Sequence, residues 1–360
     1  MDINRFDYSL DSSLIAQKPS DRRDESKLLV VNRSTKTVSH HTFKDIPDIL
    51  PKDSLLFRNN AKVFNARLNV KRINGGKAEC FLLRQGKEGF NYWWCLLNPG
   101  KKLKPGSRFF LKDVCSADVL ERTDSGEFLV KFSPTKDEGL SILDIAEEHG
   151  SIPLPPYIEA EKTAERNAAD TERYQTVYAN PEKRLAAAAP TAGLHFTNWL
   201  MADMRKEGFQ FLDLTLNVGL GTFKPIKCDN IEDHPIHTES YSIEKSVFNN
   251  ILEHNGKKRV AVGTTSVRAM EHAFREYQKN PELDTSNLNA NIYLYPPTTI
   301  QSIDSLITNF HLPKSTLLCL VSAFLTPGSE DGIDWLKEIY TEAMKNEYRF
   351  YSYGDAMLIL

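Results

Sequence analysis

The chain of 360 residues has no apolar run approaching the ~20 residues that a membrane-spanning helix needs, and Met1-Asp2-Ile3-Asn4-Arg5 is a polar start without a signal-peptide core. A soluble, cytoplasmic protein is expected. Cysteine is scarce, and the five residues Cys80, Cys95, Cys115, Cys228 and Cys319 are widely spaced with no Cys-x-x-Cys pair. That spacing argues against a disulfide framework and against structural zinc, so reduced, packed thiols and no metal are expected. Internal repeats and low-complexity tracts are missing as well, which excludes solenoid arrays and biased linkers.

What remains is a globular composition, with 41% hydrophobic, 26% charged and 10% aromatic residues. Its length exceeds what one hydrophobic core usually covers, so two domains are expected. The net charge of -3 conceals a strong asymmetry. Residues 1–112 carry 22 Lys and Arg against 11 Asp and Glu, whereas the remainder carries 23 against 37. Between Phe57 and Lys112 there are 13 basic residues, and Glu79 and Glu88 are the only acids. A local excess of this kind suits contacts to phosphates, and nucleic acid is the natural partner. The plainer alternative is a solvated basic face with no partner.

The hydrophobic pattern places a strand over residues 27–31 and a helix over 43–50, with another strand beginning at Ser54. From there to about Pro156, short strands alternate with turns such as Gly75-Gly76, Pro105-Gly106 and Ser125-Gly126, which predicts a small antiparallel β-barrel. Residues 58–155 are assigned to this basic barrel, inserted into an α/β domain made of 1–57 and 156–360. In the second half, helices over 198–206, 245–255, 266–278, 315–324 and 333–346 alternate with strands over 209–217, 259–262, 291–295 and 303–308. That order reads as α/β with a largely parallel sheet. Tyr174 and Tyr178, one helical turn apart, are expected to pack rather than to stack on a ligand.

The chemistry concentrates in loops of the second half. In Thr308-Asn309-Phe310-His311-Leu312-Pro313-Lys314-Ser315-Thr316, polar groups lie between two apolar segments, and Pro313 prevents one helix from running through. Such a cluster is either a helix cap or a pocket wall. Pro190-Thr191-Ala192-Gly193-Leu194-His195 combines small residues with an imidazole. Gly219-Leu220-Gly221-Thr222 is a tight turn after a strand, without the rest of a dinucleotide fingerprint. His234, His237 and Glu239 are rich in titratable groups, yet Pro235 disfavours a helical ligand pair and no companion metal motif accompanies them. Finally, Gly263-Thr264-Thr265-Ser266 leads from a strand into a helix carrying Arg268, a plausible anion seat or a simple cap.

Together the blocks PTAGLHF (190–196), VGLGTFKPI (218–226), DHPIHTE (233–239), GTTSVRAME (263–271), TNFHLPKSTL (308–317) and YSYGDAM (351–357) resemble the S-adenosylmethionine:tRNA ribosyltransferase-isomerases of the queuosine pathway. FDYSLDSSLIAQKP, RDESKLLVVNR and FRNNAKVFNARL carry the resemblance to the N-terminus. The family pattern differs at Ala61, Asn217 and Pro297, where Thr, His and Gly are usual. The resemblance implies an α/β-barrel-like main domain interrupted by a small antiparallel β-barrel. It also implies transfer and isomerisation of the ribosyl part of S-adenosylmethionine, a co-substrate, onto 7-aminomethyl-7-deazaguanine at the tRNA wobble position. The products are epoxyqueuosine, adenine and methionine.

Within that reaction a sulfonium acidifies its neighbouring C–H bonds, so a well-placed side-chain base suffices. His195, His237, Glu239 and His311 are the candidates for proton transfer, and the sequence does not rank them. Substrate contacts are assigned to Thr191, Gly193, Gly219, Gly221, Thr222, Thr264, Thr265, Ser266, Arg268, Asn309 and Lys314. Of these, Thr264, Thr265, Ser266 and Arg268 are expected to hold the methionine carboxylate or a tRNA phosphate. Arg58, Lys101, Lys102 and Lys104 are expected to face the anticodon loop, where unstacked bases can be read. A monomer is expected. Two rival readings are an S-adenosylmethionine-dependent RNA methyltransferase and a non-catalytic RNA-binding protein. The first lacks its glycine-rich loop, and the second leaves the polar blocks unexplained.

Overall fold

The computed structural model describes residues 1–135, 137, 139–159, 163–219 and 226–360. Among them the dominant element is a nine-stranded sheet. From edge to edge its strands are Leu288–Ala290, Glu239–Ile243, Gln210–Leu216, Leu55–Asn59, Arg259–Val262, Ser305–Asn309, Ala356–Ile359, Lys27–Asn32 and Thr37–Thr42. The sheet is mixed. Gln210–Leu216, Leu55–Asn59, Arg259–Val262 and Ser305–Asn309 run parallel to one another, and the pairings at both outer edges are antiparallel.

The central strands are buried on both faces because alternate residues enter two different cores. Leu29, Val31, Leu306 and Met357 pack in one with the helices Thr264–Lys279, Thr316–Leu325 and Gly332–Lys345. Leu28, Val30, Ile307 and Leu358 pack in the other against Leu200, Met201 and Met204 of the helix Asn198–Lys206. Helices on both sides explain why these strands read as unbroken apolar runs. The strand expected over 291–295 is not formed; pairing with Glu239–Tyr241 ends at Ala290, and Tyr293 and Tyr295 turn into a mutual edge-to-face contact at 4.8 Å.

The inserted unit is a closed antiparallel barrel of Arg67–Arg72, Lys77–Gln85, Tyr92–Asn98, Arg108–Leu111, Cys115–Arg122 and Phe128–Pro134. Period-two alternation places Leu68, Val70, Cys80, Leu82, Cys95, Leu97, Val119 and Val130 inside. The helix Ile142–His149 closes against this core through Ile142, Ile145 and Ala146. Cys80, Cys95 and Cys115 are free and buried there. Barrel strands thus begin at Arg67. Ala61–Val63 instead pairs in parallel with Asn180–Ala186 in a separate two-stranded sheet.

This placement corrects one expectation. Arg58, assigned to the tRNA-facing surface, lies in the central sheet and is buried. Its guanidinium donates to Asp213 at 2.6 Å and stacks 4.1 Å from the Tyr178 ring. Lys101, Lys102 and Lys104 are exposed at the tip of the barrel, as a phosphate-binding surface requires.

Candidate active site

The parallel strands deliver their following loops to one end of the sheet, the usual place for ligands in open α/β folds. There a cleft is lined by Thr191, Gly263, Thr264, Thr265, Asn309, His311, Tyr157, Tyr351 and Ser352 among others. Gly263 has φ +94°, a conformation that L side chains rarely adopt, and it lets the chain turn from Val262 into the helix Thr264–Lys279. The first N–H groups of that helix have no intrahelical partner. The Thr264 and Thr265 hydroxyls carry no hydrogen bond among the described residues, whereas Ser266 donates to the Val262 carbonyl at 2.9 Å and is turned inward.

His311 follows the strand Ser305–Asn309. Its backbone is clamped by two phenols: its N–H donates to Tyr340 at 2.9 Å, and Tyr8 donates to its carbonyl. Ser315 caps the next helix by accepting from the Leu318 N–H, so capping and pocket wall coexist in this block. The Thr308 hydroxyl donates to the Asn309 carbonyl at 3.3 Å. We assign that hydrogen to the carbonyl, and with it the 2.9 Å contact as a donation from His311 Nε2 to Thr308. Nδ1 then keeps its lone pair and has no partner among the described residues.

His195 is held differently. Asn309 Nδ2 donates to its Nε2 at 3.3 Å, so Nδ1 carries the proton and donates to Ser26 Oγ at 2.7 Å. Phe43 lies 5.1 Å from its ring. Both ring nitrogens are therefore engaged, and His195 sits behind the cleft wall.

Burial pushes both imidazoles down to about 3, and for His195 the nearby Arg349 and Arg23 add to the effect. Each is neutral in the folded protein and protonated in the unfolded chain between about pH 3 and 6.5, so the unfolded state binds more protons and stability falls with acidification. Between pH 7 and 5 each histidine is expected to remove about 2 kcal/mol of stability. Urea unfolding at the two pH values checks this, and His195→Gln or His311→Gln should flatten the dependence.

The other expected residues are not brought together at this cleft. Arg268 donates to Glu239 at 2.5 Å and to the carbonyls of His237, Ala290 and Ile292, and His237 Nε2 lies 3.3 Å from Glu239. Burial and these partners make the group an internal network and not an open anion seat. His237 and Gly219 line a groove between the sheet edge and the barrel, with Arg84, Glu127 and Asn217. Gly193 packs beneath Tyr178, whose hydroxyl would lie 1.9 Å from an added Cβ. Lys314 pairs with Asp7 at 3.0 Å and with Asn4. Gly221 and Thr222 lie outside the described residues.

Tyr157, Tyr351, Ser352, Tyr8 and Ser26 were not singled out from the sequence. Tyr157 and Ser352 hydroxyls meet at 2.6 Å, and the Tyr157 and Tyr351 rings lie 4.7 Å apart at the cleft. Tyr351, Ser352, Tyr8 and Ser26 fall within blocks that carried the family resemblance, which was the available signal. Among the described residues no group of three or more His, Cys, Asp or Glu is placed to hold a metal, and no helix is long and apolar enough to cross a membrane.

A family model described as "Queuosine biosynthesis protein" matches residues 3–359. S-adenosylmethionine:tRNA ribosyltransferase-isomerases from Thermotoga petrophila and Halothermothrix orenii are 42% and 43% identical over the full length of both chains. A crystal structure of S-adenosylmethionine tRNA ribosyltransferase from Thermotoga maritima has a TM-score of 0.52 at 32% identity, covering 99% of this chain and 100% of that one. With the match running from the first strand through the cleft to the last, this chain belongs to the queuosine biosynthesis protein family.

Proposed function

We infer that the chain transfers and isomerises the ribosyl moiety of S-adenosylmethionine onto 7-aminomethyl-7-deazaguanine at the tRNA wobble position, forming epoxyqueuosine and releasing adenine and methionine. Full-length similarity to enzymes of that name supports the reaction. The structural observation that carries it is the cleft itself, lined by His311 together with Thr264 and Thr265 at the start of a helix. His311 Nδ1 takes the role of proton acceptor next to the sulfonium. His195 acts as a positioning residue, because it holds the Asn309 amide and has no free nitrogen.

The Tyr157 and Tyr351 rings offer faces to a sulfonium cation. The helix N-terminus at Thr264 and Thr265 offers donors to an anionic group of either substrate. His237 and Gly219 line the groove toward the barrel, and in this reading they contact the tRNA strand rather than the sulfonium. Incubating the protein with S-adenosylmethionine and tRNA bearing the precursor base, then identifying the nucleoside by mass, tests the reading. Release of S-adenosylhomocysteine instead of adenine would identify a methyltransferase. No product together with no S-adenosylmethionine binding would leave an RNA-binding protein.

The barrel tip supplies the tRNA-facing surface in this reading. The triple variant Lys101→Gln, Lys102→Gln, Lys104→Gln is expected to weaken tRNA binding and to lower the slope of log affinity against log salt by about one for each phosphate no longer neutralised. Titrations at several salt concentrations measure this, and an unchanged slope removes the barrel tip from the interface.

A further inference from the structure

Beside the cleft, and sharing Ser352 with it, lies a second, smaller hollow that is open to solvent. Arg23, Arg173, His195, Ser20 and Tyr353 line it, and Arg349 reaches its rim through the Ser20 hydroxyl. The three guanidinium groups are held mainly by neutral oxygens. Arg23 donates to the carbonyls of Leu194 at 3.2 Å and Glu172 at 2.9 Å. Arg173 donates to the carbonyls of Asp21 at 3.1 Å and Ser20. Arg349 donates to the Lys18 carbonyl at 3.3 Å and forms an ion pair with Asp355 at 3.0 Å.

The charges do not balance locally. Among the described residues Arg349 has a carboxylate partner, and Arg23 and Arg173 have none. Arg173 Nε is buried without a hydrogen bond. Burial, and after it the neighbouring Arg173 charge, hold the Arg23 guanidinium below its ordinary pKa, with Glu172 opposing. Converging cations in a concave, partly desolvated site are stabilised by an anion, and forked guanidinium donors match the paired oxygens of a carboxylate or phosphate. The hollow is also joined to the cleft: His195, in the wall of the hollow, bonds Asn309 in the wall of the cleft.

We propose that this arginine-lined hollow is an oxyanion seat that holds the carboxylate of S-adenosylmethionine or a backbone phosphate of the tRNA while the reacting groups occupy the adjoining cleft. It rests on the function inferred above, and it places the anion away from Arg268. An anion bound there ties the substrate that carries it to the wall that holds His195 and Asn309.

Arg173→Gln is the informative variant, with circular dichroism to establish its fold. It is expected to raise one of two dissociation constants about tenfold, the scale of one hydrogen bond to a charged group. A weakened S-adenosylmethionine titration without tRNA identifies the carboxylate. A weakened tRNA titration, with a salt slope reduced by about one, identifies the phosphate. Arg173→Lys, which retains the charge, should recover part of the lost affinity.

Both dissociation constants within twofold of wild type in a folded Arg173→Gln protein overturn the seat. Should that variant not fold, sulfate replaces chloride at constant ionic strength in the wild-type protein. Saturable thermal stabilisation by sulfate supports the seat, and no sulfate effect overturns it. The sulfate titration needs neither substrate, so it decides the seat even if the wild-type protein binds neither substrate and the functional reading fails.

Discussion

Replacing His311 with alanine is expected to lower the single-turnover rate of nucleoside formation by about 10²- to 10⁴-fold, the usual range for losing a positioned acid or base. The Tyr8 and Tyr340 phenols hold the backbone at this position independently of the imidazole, so the loop is retained. His311→Gln sharpens the test. An amide can still donate to Thr308 but has no basic nitrogen, so stability should recover and the rate should not. Because the imidazole is already neutral above about pH 4, the wild-type rate should show no inflection near 6.5 arising from this residue. A near-normal rate in His311→Gln would remove His311 from proton transfer.

Arg268→Ala should act on stability, by about 3–5 kcal/mol, the range found when one partner of a buried ion pair is deleted. Glu239 is 2% exposed, and without Arg268 its carboxylate loses its main counter-charge. The carbonyls of His237, Ala290 and Ile292 lose a donor as well, which loosens the edge strand Leu288–Ala290. Urea unfolding measures the loss. A double change to Arg268→Met with Glu239→Leu is expected to recover much of it, because apolar side chains leave no buried charge behind. Wild-type stability in Arg268→Ala, combined with a large loss of S-adenosylmethionine affinity, would restore Arg268 as the anion seat.

These two residues show how far one-dimensional reading extends. Both stand in polar blocks at strand ends, and both types suit catalysis or anion binding. What separates them is where each side chain points after folding. His311 follows its strand into the cleft wall and keeps one nitrogen without a partner among the described residues, whereas Arg268 sits one turn inside its helix and meets Glu239 of the strand Glu239–Ile243. Arg58 is a third case. It sits in the basic run that predicted a nucleic-acid surface, yet its strand inserts into the central sheet and pairs it with Asp213. The strand expected over 291–295 also had the right residue types, yet the pairing stops at Ala290 and Tyr293 and Tyr295 pack on each other.

By itself the sequence determined the α/β class, the inserted antiparallel barrel, the helices that begin within two residues of Ser266 and Ser315, and the family. Those features are written in local periodicity, turn residues and ordered motifs, which short stretches of chain carry without reference to the rest. Only the tertiary structure decided which histidine keeps a nitrogen without a partner among the described residues, which arginines are already paired, and which lie around a hollow with no carboxylate partner among the described residues. Hydrogen-bond satisfaction and charge balance depend on partners far away in the chain, such as Ser26 for His195 and Glu239 for Arg268.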